Sequence, residues 1–552
     1  MYAQKKVIFN PKSKKYLLTD YIDPVTLKYT QKYDDYGLSP GDVYTNDAKR
    51  PRTALNPQYQ AGEPESVSRI SKISDITENY DKKLGNSALD NQRFGISSSY
   101  FFDQGYVAVA MDRKKSHYGL PGFSLSNLNN SQDYRANLPV SIDVHQTKYL
   151  VESQIELPYT WLNDLKVNLA KVKENNRELV GSMTANTYHF STYSANILGQ
   201  YQFDLNQATI FGDYGVDFSR RRIQGNGQQR YLPDVNTKKQ AVFVTQNLNF
   251  KPFTLSAGYR HENVSHDIQK SDFKLTNKSP NGKSLIDTKF SLNSYDLATK
   301  LNITDNIAVN ARYAHANRAP EVNELYASRA HLSTMTQEEG NQKLKSEQVK
   351  STELSLLLNY PTLDINATAY QHNFNGFYYL RSSGTSGNQG NRLRLKYWNQ
   401  INTKVNGFEF DVTKRFSLNQ WGDFEAKAFA DLVKNKPSDY KEYGHYLVNI
   451  PTNRYGMSLD WKYNDWTSGV NLIHYAKPKY LGKDINIEVP LPGYSMLDLS
   501  VAKTMNWNKA KVNLFANVSN ALNQDARVQS SPLRYIAPLP ARSINAGVSF
   551  DF

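Results

Sequence analysis

From about residue 93 the chain has one dominant period, and that period is two. At the C-terminus Ile544, Ala546, Val548, Phe550 and Phe552 alternate with Asn545, Gly547, Ser549 and Asp551. Leu497, Leu499 and Val501 alternate with Asp498 and Ser500, and Phe408, Phe410 and Val412 with Glu409 and Asp411. Successive strand side chains point to opposite faces, so each segment is a ribbon with one apolar and one polar side. Many segments run ten residues or more, beyond the five or six usual in soluble sheets. Ten residues is what a tilted strand needs to cross hydrocarbon. The polar faces carry charges and amides, which suits a hydrated lumen.

The connections alternate between short and long. Phe250-Lys251-Pro252-Phe253, Thr304-Asp305-Asn306 and Tyr463-Asn464-Asp465-Trp466 are short, whereas 114–141, 266–288, 317–346 and 520–540 are long. A transmembrane barrel has short periplasmic turns and long extracellular loops. This parity predicts an all-β transmembrane antiparallel β-barrel over 93–552, with about 19–20 strands present. A soluble repeat array would show a fixed period, and none is visible. Residues 1–92 are polar and broken by YGLSPGD, AKRPRT and NPQYQAGEPE. They read as a loop and strand remnant without a recognisable plug, with one strand near Lys15 to Tyr29.

Composition sharpens the picture in three places. The 552 residues include 38 tyrosines, and a ring with a polar hydroxyl suits strand ends at a membrane interface. No run approaches eighteen consecutive apolar residues, which excludes helical spans, and the N-terminus lacks the apolar core of a signal peptide. The net charge of +14 favours an anionic partner. The basic residues are scattered without a nucleic-acid motif, so a lipopolysaccharide-coated surface or an acidic ligand fits as well. There is no cysteine, and no GxSxG elbow, HExxH or Walker loop. The chain is not expected to be an enzyme.

The segment RYAHANRAPEVNELYASRAH, Arg312 to His331, is a strand that must end before Pro320, because proline cannot donate to a ladder. It resembles the box of TonB-dependent outer-membrane receptors in which a strand ending in an aromatic and a basic residue meets RAP and then ELY. NLFANVSNALNQ followed by PLPARSINAGVSFDF resembles the family's C-terminal box, with terminal Phe552 as the signal read by the outer-membrane assembly machinery. The resemblance implies a Gram-negative outer-membrane location, a monomeric barrel of the 22-strand type around a plugged lumen, and energy coupling through TonB-ExbB-ExbD. A member also begins with a signal peptide, a TonB box and a plug; none is recognisable here, so the chain is expected to be N-terminally truncated. Arg318, Pro320, Glu324 and Tyr326 form the family-like cluster. Their expected role is to fix the strand exit, Arg318 pairing with Glu324.

SHYGLPG, NRAPEVNELYASRAH and GNQKLKSEQ are similar to the ZnuD-like zinc-uptake receptors. That resemblance implies zinc as the transported ligand, with no permanently bound cofactor. His331 falls on a zinc-binding histidine of that group and Glu178 on a glutamate ligand, the remaining ligands coming from the plug. Imidazole and carboxylate are ordinary zinc donors. His117 reads as stiffening the turn beside Leu120-Pro121-Gly122, and His261 with His266 as a metal-capture patch. Two alternatives stay open. A haem or siderophore receptor would use His331 as the axial histidine between its boxes, and a plugless barrel would act as a passive pore.

Overall fold

The computed structural model describes residues 7–10, 15–18, 84, 86–126, 137–227, 230–269, 271–334, 336–386, 393–438, 447, 450–478, 491–507, 510–534 and 537–551. Phe552 and most of residues 1–92 lie outside the described residues. Two short strands there, β1 (Val7–Asn10) and β2 (Lys15–Leu18), pair with each other as a separate two-stranded sheet.

The remaining described strands form one sheet rolled into a barrel. It opens with β3 (Leu89–Phe102), β4 (Gly105–Ser126), β5 (Asn137–Tyr159), β6 (Leu162–Val180) and β7 (Met183–Leu205). Next come β8 (Ala208–Asn226), β9 (Val235–Phe250), β10 (Phe253–Ile268), β11 (Thr288–Thr304) and β12 (Ile307–Arg318). A one-turn helix, α1 (Val322–Tyr326), and a small hairpin, β13 (Ala330–His331) and β14 (Thr336–Glu339), fill the connection to β15 (Glu347–Tyr360). The wall continues through β16 (Leu363–Ser386), β17 (Arg394–Ser417), β18 (Asp423–Pro437) and β19 (Arg454–Tyr463). It ends with β20 (Trp466–Tyr475), β21 (Tyr494–Trp507), β22 (Ala510–Ser519) and β23 (Ser543–Asp551). Among the described residues the long strands number ten from β3 to β12 and nine from β15 to β23, nineteen in all.

Each long strand pairs antiparallel with the next, and β12 pairs directly with β15 across the inserted helix and hairpin. The alternation read from the sequence becomes the two sides of the wall. Leu297, Tyr295, Leu354 and Val242 point outward and are more than 40% exposed, a pattern at home against lipid. Their neighbours point inward and carry the charges: Asp296 faces Arg312, Asp217 faces Arg260, and Arg415 joins Asp364 and Glu425. These pairs are about a third to half exposed, so each contributes about 1 kcal/mol or less. The backbone ladders hold the wall.

Several strands are longer than a bilayer needs: β5 has 23 residues and β16 has 24, against roughly 9–11 for a crossing. The excess rises above the membrane on the long-connection side. This corrects one expectation: SHYGLPG lies within β4, which runs to Ser126, so His117 stands in a strand and not at a turn. Glu178 sits near the upper end of β6.

Strand β3 starts at the long-connection end of the wall, and so does β23 after the 520–542 connection. An odd number of long strands makes these two run in the same direction. The described ladders give each of them one partner with a register, β4 for β3 and β22 for β23, and β3 is exposed on both faces from Leu89 to Phe101.

The facing assignment is testable at Leu297, seven residues above the β11–β12 turn and near mid-bilayer. Leu297→Arg is expected to cost about 2–4 kcal/mol in urea unfolding from liposomes. Asn302→Arg, on the lumen side of the same strand, should stay within about 0.5 kcal/mol. Equal costs for the two would refute the assignment.

Candidate functional site

The connection from β12 to β15 is anchored before it is functional. Pro320 ends the ladder, and α1 starts with the Glu324 carboxylate accepting the Glu321 backbone N–H at 2.7 Å, which satisfies an orphan donor of the first turn. Arg318 Nη1 donates to both Glu324 oxygens, at 3.2 and 3.1 Å. Its guanidinium also lies 4.3 Å from the Tyr378 ring centre and reaches Glu347 at 3.3 Å. The Pro320 carbonyl lies 3.1 Å from His266 Nε2, and the Tyr326 hydroxyl lies 2.7 Å from that of Thr288. Tyr326, Leu325 and Val322 pack with Tyr188, Leu232 and Tyr378 into a core at the outer mouth of the barrel.

The return of the connection is pinned to the same place. Gly340 N–H donates to Ala327 at 2.6 Å and Asn341 N–H to Glu324 at 2.8 Å. A Cβ on Gly340 would lie 2.5 Å from the backbone of Leu325 and Tyr326, so only glycine permits the approach. Between these clamps β13 and β14 form a hairpin, and β14 adds in parallel to Arg394–Tyr397 of β17. The hairpin thus carries His331 and Glu338 on a fixed base.

His331 stacks on Tyr231 from the β8–β9 connection, ring centres 4.0 Å apart at 16°. Its Nδ1 lies 2.8 Å from Glu338 Oε1 and its Nε2 lies 4.0 Å from Glu178 Oε1. Glu178 has even parity in β6, the lumen-facing set, and is only 5% exposed. It is held by Asn186 Nδ2 at 2.5 Å and by the Ser333 backbone N–H at 3.2 Å. Thr334 and Thr336 hydroxyls hold Glu338 at 3.0 and 3.1 Å. The structure therefore brings His331 and Glu178 together over the lumen mouth, from connections far apart in the chain.

Electrostatics follow from this enclosure. Burial opposes a charged His331 ring, but Glu338, through charge and hydrogen bond, and Glu178 outweigh it and raise the ring's pKa above the usual range. Burial likewise works to raise the Glu338 carboxyl, yet the His331 charge and hydrogen bonds pull it down to about 2. Burial lifts the Tyr231 hydroxyl well above its ordinary value. With Nδ1 given to Glu338, the Nε2 position faces Glu178. This is the second-sphere carboxylate arrangement that orients metal-ligating imidazoles.

Two ligand atoms on a tetrahedral zinc stand about 3.4 Å apart, so the 4.0 Å gap between Nε2 and Glu178 needs a sub-ångström closure. Glu338 sits on the other side of the ring, and among the described residues no three His, Cys, Asp or Glu side chains converge on one metal position. The described residues bring one imidazole and one carboxylate together, a pair and not a closed metal site. The remaining histidines do not enlarge it. His266 is fully buried, bonded to Thr237 and next to Pro320. His261 faces outward beside Asn293. Five residues apart in a strand means opposite faces, so the two form no common patch. The sequence reading missed Glu338 and Tyr231. Neither lies in a recognisable motif, and the only available signal was the TQEE run after His331, whose four residues are all buried.

Comparison with known proteins agrees with the architecture. The chain is 26% identical over 234 residues to a heme/hemopexin utilization protein C of Haemophilus influenzae strain 86-028NP, covering 38% of this chain and 31% of that protein. It is 23% identical to a hemoglobin and hemoglobin-haptoglobin-binding protein A of Haemophilus influenzae, over 58% of this chain and 32% of that one. The chain thus spans about a third of the length of the curated relatives it matches. Among solved structures it superposes on the copper transporter OprC with a TM-score of 0.68 at 13% identity, over 85% of this chain and 72% of that one. It superposes on the FrpB iron transporter of Neisseria meningitidis with a TM-score of 0.63 at 15% identity, over 84% and 72% respectively. The model of the TonB dependent receptor-like β-barrel matches residues 19–521, and the chain belongs to that family, whose members are Gram-negative outer-membrane proteins.

Proposed function

We propose that this chain is the barrel of an outer-membrane receptor for zinc, with His331 Nε2 and Glu178 as its contacts to the ion at the lumen mouth. The observation that carries the reading is the approach of these two donors over the lumen, with Glu338 fixing the ring from behind. Imidazole with carboxylate suits zinc, whereas copper(I) favours sulfur ligands, and the two donors that approach here are a nitrogen and an oxygen. Further ligands would come from a plug, and energy from the inner membrane through TonB-ExbB-ExbD. Transport, not catalysis, is the role of the family. In this reading the strands from Leu89 to Asp551 form the conducting wall, and Phe552 is the assembly signal.

A second reading rests on the names of the relatives, which concern haem, hemopexin and hemoglobin. Geometry disfavours it for His331. His331 Nε2 faces the Glu178 carboxylate at 4.0 Å while Nδ1 is held by Glu338, so a haem iron would have to displace Glu178 to be bound by this ring. A siderophore receptor or a plugless passive pore would need neither contact.

Zinc titration by calorimetry at pH 7.5 should show one weak site, at least about tenfold weaker after Glu178→Gln and lost after His331→Ala. Haemin producing a Soret shift that disappears in His331→Ala would replace zinc with haem. A large constant conductance in planar bilayers, with no zinc bound, would favour the passive pore.

The pH dependence has a definite sign. Zinc must displace the proton that the two carboxylates hold on the ring, so affinity should fall by up to about tenfold per pH unit below the ring's raised pKa. The pair's own stabilisation runs differently. His331 contributes fully below 6.5, the ordinary imidazole value, and this is lost as pH rises through the raised pKa. Glu338 contributes above 4.5, and this is lost as pH falls towards about 2. Melting temperature in Glu338→Gln should therefore drop most, relative to the parent, between those two ordinary values. A difference that does not vary with pH would contradict the pairing.

A further inference from the structure

The outward face of the wall changes character with height between β5 and β10. At mid-height it is apolar: Val151, Leu169, Ala195 and Phe218 follow one another across β5 to β8. One step up, cross-strand register gives the row Tyr149, Lys171, Tyr193, Arg220, Lys238 and Ser265. The next gives Thr147, Lys173, Ser191, Arg222, Asn236 and Asp267. Five cations thus stand on the lipid-facing side just above the apolar band, the first of them nine residues above the start of β6 at Leu162. A strand spends about that many residues in hydrocarbon, so the cations stand at the headgroups of the outer leaflet.

Little in the protein neutralises them. The two rows contain one carboxylate, Asp267, which pairs with Lys238 at 2.9 Å. Lys171 Nζ sits 5.0 Å from the Tyr193 ring centre, and Arg220 Nε donates to the Asn236 side-chain oxygen at 3.0 Å. Among the described residues Lys173 and Arg222 have no acidic partner. Arg220 and Lys238 are direct cross-strand partners, and like charges so placed repel. An anion between the rows would relieve this. Directly below lies a groove lined by Val151, Leu169, Ala195 and Phe218 and rimmed by Lys171 and Arg220.

We propose that this collar binds a phosphorylated lipid of the outer leaflet, its phosphates on Lys171, Lys173, Arg220 and Arg222 and an acyl chain in the groove beneath. Charge complementarity selects the phosphate. The apolar groove continuous with the cations selects a lipid-borne phosphate over a free one. The inference is independent of the zinc reading, since these side chains point away from the lumen. It also gives a purpose to part of the +14 charge.

The test uses the full chain in non-ionic detergent, titrated with bis-phosphorylated lipid A and followed by native mass spectrometry. The protein should bind this lipid at least about tenfold more tightly than the same lipid with both phosphates removed. The combined variant Lys171→Gln, Lys173→Gln, Arg220→Gln, Arg222→Gln should lose that preference. Lys114→Gln with Lys148→Gln, on the lumen face, should keep it. Inorganic phosphate at equal concentration should leave the lipid bound. If the fourfold variant does not fold, judged by its migration in cold SDS gels, Arg222→Gln alone should still weaken binding by about threefold. Equal binding of the dephosphorylated lipid, retention by the fourfold or single variant, loss in the lumen-face variant, or displacement by inorganic phosphate would each overturn the proposal.

Discussion

Hydrocarbon offers no partner to a peptide N–H or C=O, and that constraint dictates most of this molecule. A strand can lie in lipid only if both edges are paired, so the chain must form one continuous ladder from β3 to β23. Everything else is arranged around that necessity. Through the apolar band hydrophobic side chains face lipid and charged ones the lumen, a collar of cations stands on the outer side above that band, and polar connections gather at the two ends. The luminal ion pairs are too exposed to bind the wall together, and their worth lies in keeping the interior wet and ordered.

The mouth of the barrel works on a different principle. Above the bilayer the chain is free to build a core, and it does so with Leu325, Tyr326, Tyr188 and Tyr378. That core turns a long connection into a rigid bracket. Arg318 and Glu324 fix its entry, Gly340 and Asn341 fix its exit, and the hairpin between them has little choice of position. A metal ligand on a long loop would otherwise lose affinity to the entropy of ordering it. Here the bracket orders most of the connection in advance, and Glu338 and Tyr231 set the orientation of the His331 ring.

The barrel was legible in the sequence because period two is imposed by the membrane itself, strand after strand. The number of long strands and the alternation of connections followed directly. The upper part of β4 was not, since above the membrane a strand loses the apolar side that reveals it. Arg318 and Glu324 were readable as a pair because they lie on one short segment. His331 and Glu178 could be matched through resemblance, but their approach is a product of the closed wall, which no local pattern encodes. Glu338 and Tyr231 stayed hidden for the same reason. The error at His261 and His266 had another origin: a spacing of five was read as proximity, where a pleated strand makes it opposition.

The ladders have a mechanical consequence. Every long strand from β4 to β22 is bonded along both edges, so a load at one point of the wall is shared by many hydrogen bonds in parallel, and no single strand can slide without breaking two registers at once.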